Sequence, residues 1–490
     1  MSRRLTRREL LKIGASAGAA SLASLLPGCG ALHNAVTGSG GTTSTSCAKI
    51  TDIEHVVIFI QENRSFDHYF GQLPAYWAAN GYSPQKFDGI PGNASNPGWT
   101  GGTKVAAYHL ASECVENLSP SWDESHLDWN LEHPLSSTPL MDGFVWNAAN
   151  FATNENKAGS VPAYTDTTGI RAMGYYDASD LNYYYFMASK FATSDRWFAP
   201  AMDRTQVNRL YLFAATSQGY AYPPGTTSTD NAALQALTIF DSLTSAGVSW
   251  KVYYSDDTCT KTPDGGDTAP SSGPCTFLTQ FRNYALPNQL PSNVVPVSQY
   301  LSDVRAGTLP AVSFIETGYL SNRDEHPAPQ ASIQAGAAYA ASLINALMAS
   351  PSWKDSAFIL TYDESGGFYD HVPPQPAVNP DGMAPIDLLK GDICTSGSGV
   401  NCNFNYTGYR VPLIVISPFT KKNYVSHTVA DSTAILKLIE ARFQVPSLTK
   451  RDAAQMDMTE FFDFQGVPWA TPPTPPTQNT SGTCNAQTLQ

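Results

Sequence analysis

Val56-Val57-Ile58-Phe59-Ile60 is the stretch of this 490-residue sequence that decides the fold. It is a short run of apolar residues, and Gln61-Glu62-Asn63 follow it directly. A run of this length without alternating polar residues is typical of a strand buried on both faces of a parallel sheet. The abrupt change to polar side chains predicts that the strand ends there, at the edge where α/β sheets carry their ligand sites.

Four more apolar runs have the same character. They lie at 250–254, 311–315, 358–362 and 413–416, and we expect each of them to be a buried parallel strand. Helical stretches lie between these runs, at 206–216, 333–349 and 432–443. Alternation of buried strands and helices predicts an α/β fold, with a doubly wound, mostly parallel sheet flanked by helices.

Composition limits the class of protein. Hydrophobic residues make up 42% of the chain and charged residues only 14%, with 36 Gly and 35 Pro, which favours a loop-rich globular protein over a coiled coil. The formal net charge is −13. An acidic protein lacks the basic surface that nucleic acid requires, so we expect no nucleic-acid partner.

The N-terminal 47 residues predict export. Thr6-Arg7-Arg8-Glu9-Leu10-Leu11-Lys12 and the apolar stretch 13–26 have the pattern of a twin-arginine signal peptide over residues 1–28, read by the twin-arginine export machinery. Leu26-Pro27-Gly28-Cys29 favours either a lipid anchor at Cys29 or plain cleavage nearby. We therefore expect a periplasmic protein, a cell-surface lipoprotein or an extracellular protein.

The remaining chain is predicted to hold one catalytic domain. Residues 29–47 form a Gly/Ser/Thr-rich tether, residues 48–468 the catalytic domain, and residues 469–490 a Pro/Thr-rich tail. No apolar run after the signal peptide approaches the roughly 18 residues that a membrane span requires.

Eight cysteines make disulfides plausible in an exported chain. Cys259 with Cys275, and Cys394 with Cys402, each enclose a polar loop, and we expect these local pairs to form. Cys47 and Cys484 are candidates to join the two ends of the domain, which leaves Cys114 over. Connectivity does not follow from sequence alone.

Polar side chains cluster after several predicted strands. Glu62 and Asn63 follow the first strand, Asp363 and Glu364 follow the fourth, and Glu316 leads towards Asp324-Glu325-His326-Pro327. Carboxylate and amide oxygens suit a hard cation, so we expect one divalent metal ion, Ca²⁺, Mg²⁺ or Mn²⁺. The alternative is that these acids cap helices or face solvent in loops.

Polar side chains lie at the start of the helix predicted at 206–216, namely Thr205, Asn208 and Arg209. Thr205 either caps this helix or directs its hydroxyl to a phosphate bound at the helix N-terminus. Asn208 and Arg209 either donate to a phosphoryl oxygen or form surface pairs. His126 and His371 are candidate site residues, although lone histidines are more often structural.

Glu62-Asn63-Arg64-Ser65-Phe66-Asp67-His68-Tyr69-Phe70-Gly71 resembles the signature of the bacterial phosphoesterase family, which contains phospholipases C and acid phosphatases. Further blocks of the family pattern follow in order, and they are 141–144, 200–212, 324–327, 363–374 and 411–417. The resemblance covers most of residues 50–465. It implies an alkaline-phosphatase-like fold.

The resemblance also implies roles for individual residues. Metal ligands are expected at Glu62, Asn63, Thr205, Asp363 and Glu364, with Thr205 also the nucleophile. His126 and His326 match catalytic histidines of the phosphate pocket. Apart from the resemblance, Asn208, Arg209 and His371 are expected from their positions in the sequence to bind substrate. Ser432 stands where a histidine is common in the family.

The expected function is a metal-dependent phosphoric-ester hydrolase of phospholipase C type, which cleaves the phosphodiester of a phospholipid head group through a Thr nucleophile. One alternative is an acid phosphatase acting on soluble phosphate monoesters. Another is a non-catalytic surface binding protein on the same scaffold. A sulfatase is disfavoured because the sequence contains no Cys-x-Pro-x-Arg string.

Overall fold

The structure is a computed structural model of the full chain. It describes residues 49–155, 164–224, 234–258, 273–285, 290–395 and 397–490. The predicted signal peptide, tether and anchor at Cys29 lie outside the described residues. The chain from Ala48 to Gln490 forms one compact unit.

A central eight-stranded sheet organises this unit. In chain order its strands are β1 His55–Gln61, β2 Ala192–Ser194, β3 Trp250–Tyr254, β4 Val294–Pro296, β5 Val312–Glu316, β6 Ser356–Tyr362, β7 Leu413–Ile416 and β8 Tyr424–Ser426. Their spatial order is β8-β2-β7-β6-β1-β5-β3-β4. Short pairs outside it join Ser95–Pro97 to Lys104–Ala106, Tyr108–His109 to Gly174–Tyr175, and Trp197–Phe198 to Ala430–Asp431.

Helices flank the sheet, and the predicted α/β class is confirmed. They are α1 Phe66–Phe70, α2 Leu73–Ala79, α3 Trp122–Trp129, α4 Phe144–Asn150, α5 Asn182–Lys190, α6 Thr205–Ala214, α7 Ile239–Ser245, α8 Val297–Ala306, α9 Ile333–Met348, α10 Ala434–Phe443 and α11 Lys450–Ala453. Single helical turns occur at Ile50–Asp52, Phe151–Glu155, Ile170–Met173, Phe277–Gln280, Pro351–Asp355 and Thr459–Phe461. The three helices predicted from the sequence correspond to α6, α9 and α10.

Strand direction is predicted correctly for four of the five apolar runs. β1 pairs in parallel with β5 and β6, and β3 pairs in parallel with β5. β7 is instead antiparallel to β6, so its predicted parallel direction is wrong. The apolar pattern reports burial on both faces and not direction. A parallel return needs a long crossover, and the described residues between β6 and β7 contain no helix.

Burial fixes the register at the centre of the sheet. Residues 56–61 of β1 are all buried, and Ile60 lies opposite Glu316 of β5 while Gln61 lies opposite Tyr362 of β6. A shift of one residue would exchange the side chains that pack on the two faces of this strand, so close packing holds the register. The carboxyl ends of β1, β5 and β6 are therefore level with one another.

In the described part of the chain, no helix is long and apolar enough to cross a bilayer.

The C-terminal residues lie against the same compact unit. Glu113 donates its backbone N–H to Thr483 O (2.8 Å), and Ala111 donates to Leu489 O (3.1 Å). This path brings Cys484 to Cys114, and the two form a disulfide with Cα atoms 4.9 Å apart. The expectation that Cys484 joins Cys47 and leaves Cys114 over is wrong, because the tail returns across residues 111–114.

The other cysteine predictions have separate outcomes. Cys394–Cys402 forms as expected, with Cα atoms 5.7 Å apart. Cys275 is disulfide-bonded, but Cys259, its expected partner, lies outside the described residues, as do Cys29 and Cys47.

Candidate active site

The ends of β1 and β6 bring two acidic pairs together. Asn63 donates its backbone N–H to Asp363 Oδ1 (3.1 Å), and Arg64 donates its backbone N–H to Glu364 O (3.0 Å). The side chains of Glu62, Asn63, Asp363 and Glu364 are all at least nine-tenths buried. Residues 300 positions apart in the sequence thus form one polar centre because their strands are neighbours in register.

Thr205 reaches this centre from α6. Arg204 occupies the N-cap position, and Thr205 is the first helical residue, so its hydroxyl is not the helix cap. Thr205 Oγ1 instead donates a hydrogen bond to Asn63 Oδ1 (3.0 Å). Thr205 is buried. The structure therefore brings Thr205, Asn63 and Asp363 into contact, and Glu62 and Glu364 are their neighbours in the chain. The function of these five residues as metal ligands stays a prediction.

The backbone at this centre is unusually constrained. Asn63 has a φ of 60°, in the left-handed region that few non-glycine residues adopt. Gly366 approaches it so closely that a Cβ there would lie 2.2 Å from Asn63 O. Strained conformations of this kind are concentrated at functional sites, where the surrounding structure enforces them.

Arg209, predicted to bind substrate, lies buried among carboxylates. Its Nε is 3.1 Å from Asp363 Oδ2, and its Nη2 is 3.3 Å from Glu62 Oε1. Nη1 is 3.7 Å from Glu316 Oε2. The guanidinium partly neutralises the acidic centre and orients Glu62 and Asp363. These contacts explain its burial without a substrate, and its direct contact with substrate stays a prediction.

Asn208, also predicted to bind substrate, holds the loop before Thr205. Its Oδ1 accepts a hydrogen bond from Ala201 N (2.9 Å), and its Nδ2 donates to Asp203 O (2.7 Å) and Arg204 O (3.2 Å). These bonds fix the entry of the chain into α6. The side chain therefore controls the position of Thr205 whether or not it also contacts substrate.

The two predicted catalytic histidines are both buried. His126, in α3, lies with Nδ1 2.6 Å from Trp122 O and Nε2 3.3 Å from Asn401 O, and burial lowers its pKa to about 4. His326 lies with Nδ1 3.1 Å from Pro327 O. Its loop joins the acidic centre because Glu62 donates its backbone N–H to Asp324 O (2.9 Å). Their roles in proton transfer stay predictions.

His371 belongs to a charged cluster that ties α1 to the loop after β6. Its Nδ1 is 2.6 Å from Asp67 Oδ2 and its Nε2 is 3.1 Å from Asp88 Oδ1. Burial is the largest single effect and opposes protonation, but the hydrogen bond to Asp67 and the charges of Asp67 and Asp370 together outweigh it and raise the pKa of His371. Both ring nitrogens face carboxylates, so its predicted contact with substrate would require one of these bonds to open.

Asp67, Asp370 and His371 are close enough to share a metal ion. The Arg410 guanidinium already lies between the two carboxylates, 3.0 Å from Asp67 Oδ1 and 2.9 Å from Asp370 Oδ1. This cationic group makes the cluster an ion-pair network rather than a second metal site.

Glu325 is a site residue that sequence reasoning did not single out. Its buried carboxylate accepts hydrogen bonds from the hydroxyls of Tyr69 (2.7 Å), Tyr184 (2.6 Å) and Tyr362 (2.7 Å). Its backbone carbonyl accepts from Arg64 Nε (2.8 Å). Glu325 thereby fixes the loop that carries Asp324 and His326. The signal available in the sequence was the position of Glu325 between Asp324 and His326. Its hydrogen-bond partners, however, lie on α1, α5, β6 and the loop before α1.

A cavity of about 280 Å³ opens beside Thr205. Arg204, which immediately precedes Thr205, lines it, as do Leu118 and Ser119. A Cβ on Gly367 would lie 3.0 Å from Leu118 Cβ, so the cavity shares a wall with the loop after Glu364. The other lining residues are acidic, aromatic or small, namely Asn117, Pro120, Ser121, Asp123, Glu124, Phe151 and Tyr222.

The acidic centre fits a divalent cation. Its donors are oxygens of Glu62, Asn63, Thr205, Asp363 and Glu364, the ligand type that hard cations prefer. Burial raises the pKa of Asp363, although Arg209 opposes the shift. Several buried carboxylates around a single guanidinium leave an excess of negative charge, which a bound cation would balance.

The chain belongs to the Phosphoesterase family, whose model matches residues 53–446. This match includes the strand ends, the Thr205 helix and the Glu325 loop. The chain is accordingly an enzyme that hydrolyses phosphoric esters.

Relatives in this family support the same assignment. The chain is similar to phospholipase C B of Mycobacterium tuberculosis, with 33% identity over 463 residues, 88% of this chain and 80% of the relative. It is 32% identical to phospholipase C A of the same species over 495 residues, 96% of this chain and 87% of the relative. Non-hemolytic phospholipase C of Pseudomonas aeruginosa is 30% identical over 444 residues, 85% of this chain and 58% of that relative.

Two solved structures have a distant likeness to the chain. An alkaline phosphatase superfamily protein of Vibrio parahaemolyticus aligns with a TM-score of 0.30 and 12% identity over 56% of this chain and 62% of that one. Human ectonucleotide pyrophosphatase/phosphodiesterase 5 aligns with a TM-score of 0.32 and 10% identity over 55% of this chain and 90% of that one. Family membership rests on the sequence match and not on these distant likenesses.

Proposed function

We propose that this protein is an exported, metal-dependent phosphodiesterase of phospholipase C type, and that Thr205 is its nucleophile. The single observation that carries the proposal is the hydrogen bond from Thr205 Oγ1 to Asn63 Oδ1, at the point where the acidic ends of β1 and β6 meet. A Thr that served only as a helix cap would occupy the N-cap position. Thr205 instead follows that position, and its hydroxyl contacts the acidic centre.

The chemistry follows from the groups around Thr205. A free Thr hydroxyl is a weak nucleophile. A divalent cation held by Glu62, Asn63, Thr205, Asp363 and Glu364 would lower the pKa of the hydroxyl and stabilise negative charge on the phosphoryl oxygens. Backbone N–H groups at the start of α6 add a second source of positive potential for a phosphate placed beside Thr205.

Two displacements at phosphorus complete the proposed reaction. Thr205 Oγ1, after losing its proton to water, attacks in line and forms a bond to phosphorus, while the bond from phosphorus to the leaving alcohol breaks. His326 supplies the proton for the leaving alkoxide, because the low pKa of His126 keeps that imidazole neutral. Water then attacks the phosphothreonine, releases the phosphoryl group and returns the hydroxyl of Thr205.

The relatives favour a diester over a monoester. The M. tuberculosis and P. aeruginosa proteins carry the name phospholipase C, and the match to the former spans most of both chains. A phosphodiester has a second substituent that needs space beyond the phosphate. The cavity lined by Arg204, the residue before Thr205, offers this space.

Export is the remaining part of the proposal. The twin-arginine pattern at residues 6–12 and the short apolar stretch after it support export by that route, with a lipid anchor at Cys29 as an additional possibility. An exported chain is also consistent with the disulfides at Cys114–Cys484 and Cys394–Cys402.

One assay separates the proposal from its alternatives. Purified protein, supplied in turn with Ca²⁺, Mg²⁺ and Mn²⁺, is offered a chromogenic phosphate monoester, a chromogenic phosphocholine diester and phosphatidylcholine vesicles. Turnover of the diester and the vesicles is the expected result. Turnover of the monoester alone would make the protein an acid phosphatase. No turnover with any of the metals would leave a binding protein on a phosphoesterase scaffold.

A further inference from the structure

The loop formed by residues 385–391, which we call the apolar loop, exposes two large aliphatic side chains. Ile386 is 53% exposed and Leu389 is 55% exposed. They are separated by only two residues in the sequence. Isolated exposed aliphatic residues are ordinary, but a paired arrangement beside a ligand cavity suggests a contact surface.

The backbone of the apolar loop is held firmly in this exposed position. Ile386 donates its N–H to Gly219 O (2.9 Å), and Leu389 donates its N–H to Asp392 Oδ2 (2.6 Å). The Asp387 carboxylate accepts from Ala221 N (2.8 Å) and Tyr222 N (3.1 Å). Exposure of the two side chains is therefore a property of the folded state and not of fraying.

Leu388 packs the apolar loop against the body of the protein. Its side chain is partly buried and packs against a small hydrophobic cluster that includes Trp122, Val207 and Tyr211. The loop consequently turns one aliphatic side chain inward and two outward. Val207 and Tyr211 belong to α6, so the loop rests on the helix that begins with Thr205.

The apolar loop also borders the cavity beside Thr205. Tyr222 lines the cavity, and its hydroxyl donates to Asp392 Oδ2 (2.8 Å) at the end of the loop. Asp123 lines the cavity as well, and its Oδ1 accepts from Ile393 N (2.8 Å). A surface that holds the loop would thus lie next to the entrance of the proposed substrate site.

Charge decides which surface fits. The chain carries a net charge of −13, and Lys390 against Asp387 and Asp392 leaves this segment a formal charge of −1. An anionic surface would be repelled by the protein as a whole, whereas a zwitterionic surface would not. Apolar side chains with little net local charge match a zwitterionic phospholipid layer.

We propose that Ile386 and Leu389 dock the enzyme on a zwitterionic phospholipid surface, so that a lipid can enter the adjoining cavity. This inference rests on the proposed phospholipase C function, because docking is useful only if a lipid is the substrate. Interfacial binding of this kind gains from burying apolar side chains at the boundary between head groups and acyl chains.

The test measures binding and turnover separately in the full mature chain. The variants are the double substitution Ile386→Ser/Leu389→Ser and a matched control, Val429→Ser, which alters a 45% exposed aliphatic residue outside the apolar loop. Binding to phosphatidylcholine vesicles is followed by flotation. Turnover is measured on the same vesicles and on a soluble chromogenic phosphocholine diester.

The double variant is expected to lose at least tenfold in vesicle binding and vesicle hydrolysis, while its turnover of the soluble diester stays within twofold of the wild type. Val429→Ser should match the wild type in every assay. Stronger vesicle binding by Ile386→Trp/Leu389→Trp is expected as well, and it keeps the test informative if the Ser variant fails to fold. Wild-type binding to phosphatidylglycerol vesicles should be weaker than to phosphatidylcholine.

Vesicle binding of the double variant within twofold of the wild type would overturn the docking proposal. The docking proposal would also be overturned if the double variant lost a concentration-dependent dimer that the wild type forms in sedimentation experiments, while vesicle binding stayed unchanged. The loop would then contact a second copy of the chain. A wild type that binds vesicles through this loop but does not cleave the soluble diester or the lipid would overturn the proposed function and not the docking.

Discussion

Thr205 Oγ1 lies 3.0 Å from Asn63 Oδ1, although the two residues are 142 positions apart in the sequence. This hydrogen bond joins the first turn of α6 to the end of β1. Asn63 in turn bonds Asp363 through its backbone N–H, so the contact extends to the end of β6. The proposed nucleophile is thereby fixed against the proposed metal ligands by three separate elements of the fold.

Removal of the metal should abolish turnover and lower stability together. A cation that binds only the folded state at 100 times its Kd adds about 2.7 kcal/mol to the free energy of unfolding. We expect chelation to lower the thermal midpoint, and readdition of the active divalent ion to restore both stability and activity. Differential scanning fluorimetry with and without the metal measures the shift.

Two variants locate this metal effect. Asp363→Asn should abolish the metal-induced shift of the midpoint. Asp177→Asn is the control, because Asp177 belongs to a separate cluster with His109 and Asp180 that is compact enough for an ion. A metal-induced shift of the midpoint that persists in Asp363→Asn and disappears in Asp177→Asn would show that the metal binds at the cluster of His109, Asp177 and Asp180 and not at the acidic centre.

Glu113 should make stability depend on pH. Burial raises the pKa of Glu113 from 4.5 to about 8, with Asp180 adding to the shift. Between these values the folded state binds a proton that the unfolded chain has released, so the free energy of unfolding falls as pH rises, by at most about 1.4 kcal/mol per pH unit.

Glu113→Gln removes this titration while keeping the shape of the side chain. The variant should be as stable as the wild type near pH 4.5 and progressively more stable than it up to pH 8. Urea unfolding at several pH values measures the difference. A constant difference across this range would show that Glu113 does not titrate as its burial indicates.

The two described disulfides should differ in their contributions to stability. Chain entropy predicts roughly 6 kcal/mol for the Cys114–Cys484 pair, which is separated by 370 residues, and roughly 2.5 kcal/mol for Cys394–Cys402, separated by 8 residues. We expect Cys114→Ser/Cys484→Ser to lower the thermal midpoint more than Cys394→Ser/Cys402→Ser. The reverse order would mean that the tail contributes little constraint to the unfolded chain.

Glu325 should be important for both stability and catalysis. Tyr184→Phe removes one of three hydroxyl donors to its buried carboxylate, and the lost bond should cost about 1–3 kcal/mol. The loop with Asp324 and His326 would loosen, so we also expect a lower kcat with little change in KM. Tyr183→Phe is the matched control, since its hydroxyl bonds Asn345 on α9. Equal effects of the two substitutions on kcat would argue against a positioning role for Glu325.

The sequence analysis predicted the sheet and the acidic centre for a physical reason. Apolar runs identify strands buried on both faces, and polar residues that follow them must meet at one edge when the strands are parallel. Glu62-Asn63 and Asp363-Glu364 satisfy both conditions. Local pattern therefore determined which residues come together.

Other features depend on contacts that no local pattern contains. The antiparallel direction of β7 and the pairing of Cys114 with Cys484 are set by the path of long connections. The contacts of the Arg209 guanidinium with Asp363, Glu62 and Glu316 were not predicted either, and its contact with substrate stays a prediction. Glu325 was missed because its tyrosine donors lie on α1, α5 and β6, far apart in sequence.

The most direct test of the account is the turnover of Thr205 variants on a soluble chromogenic phosphodiester. Thr205→Ser keeps the attacking oxygen, and its kcat/KM should stay within about tenfold of the wild type, which corresponds to roughly 1.4 kcal/mol of barrier. Thr205→Val keeps the shape without the oxygen, and it should lose at least about a thousandfold, or roughly 4 kcal/mol of barrier, with an unchanged fold by circular dichroism. A Thr205→Val variant that retains kcat/KM within tenfold of the wild type would contradict the assignment of Thr205 as the nucleophile.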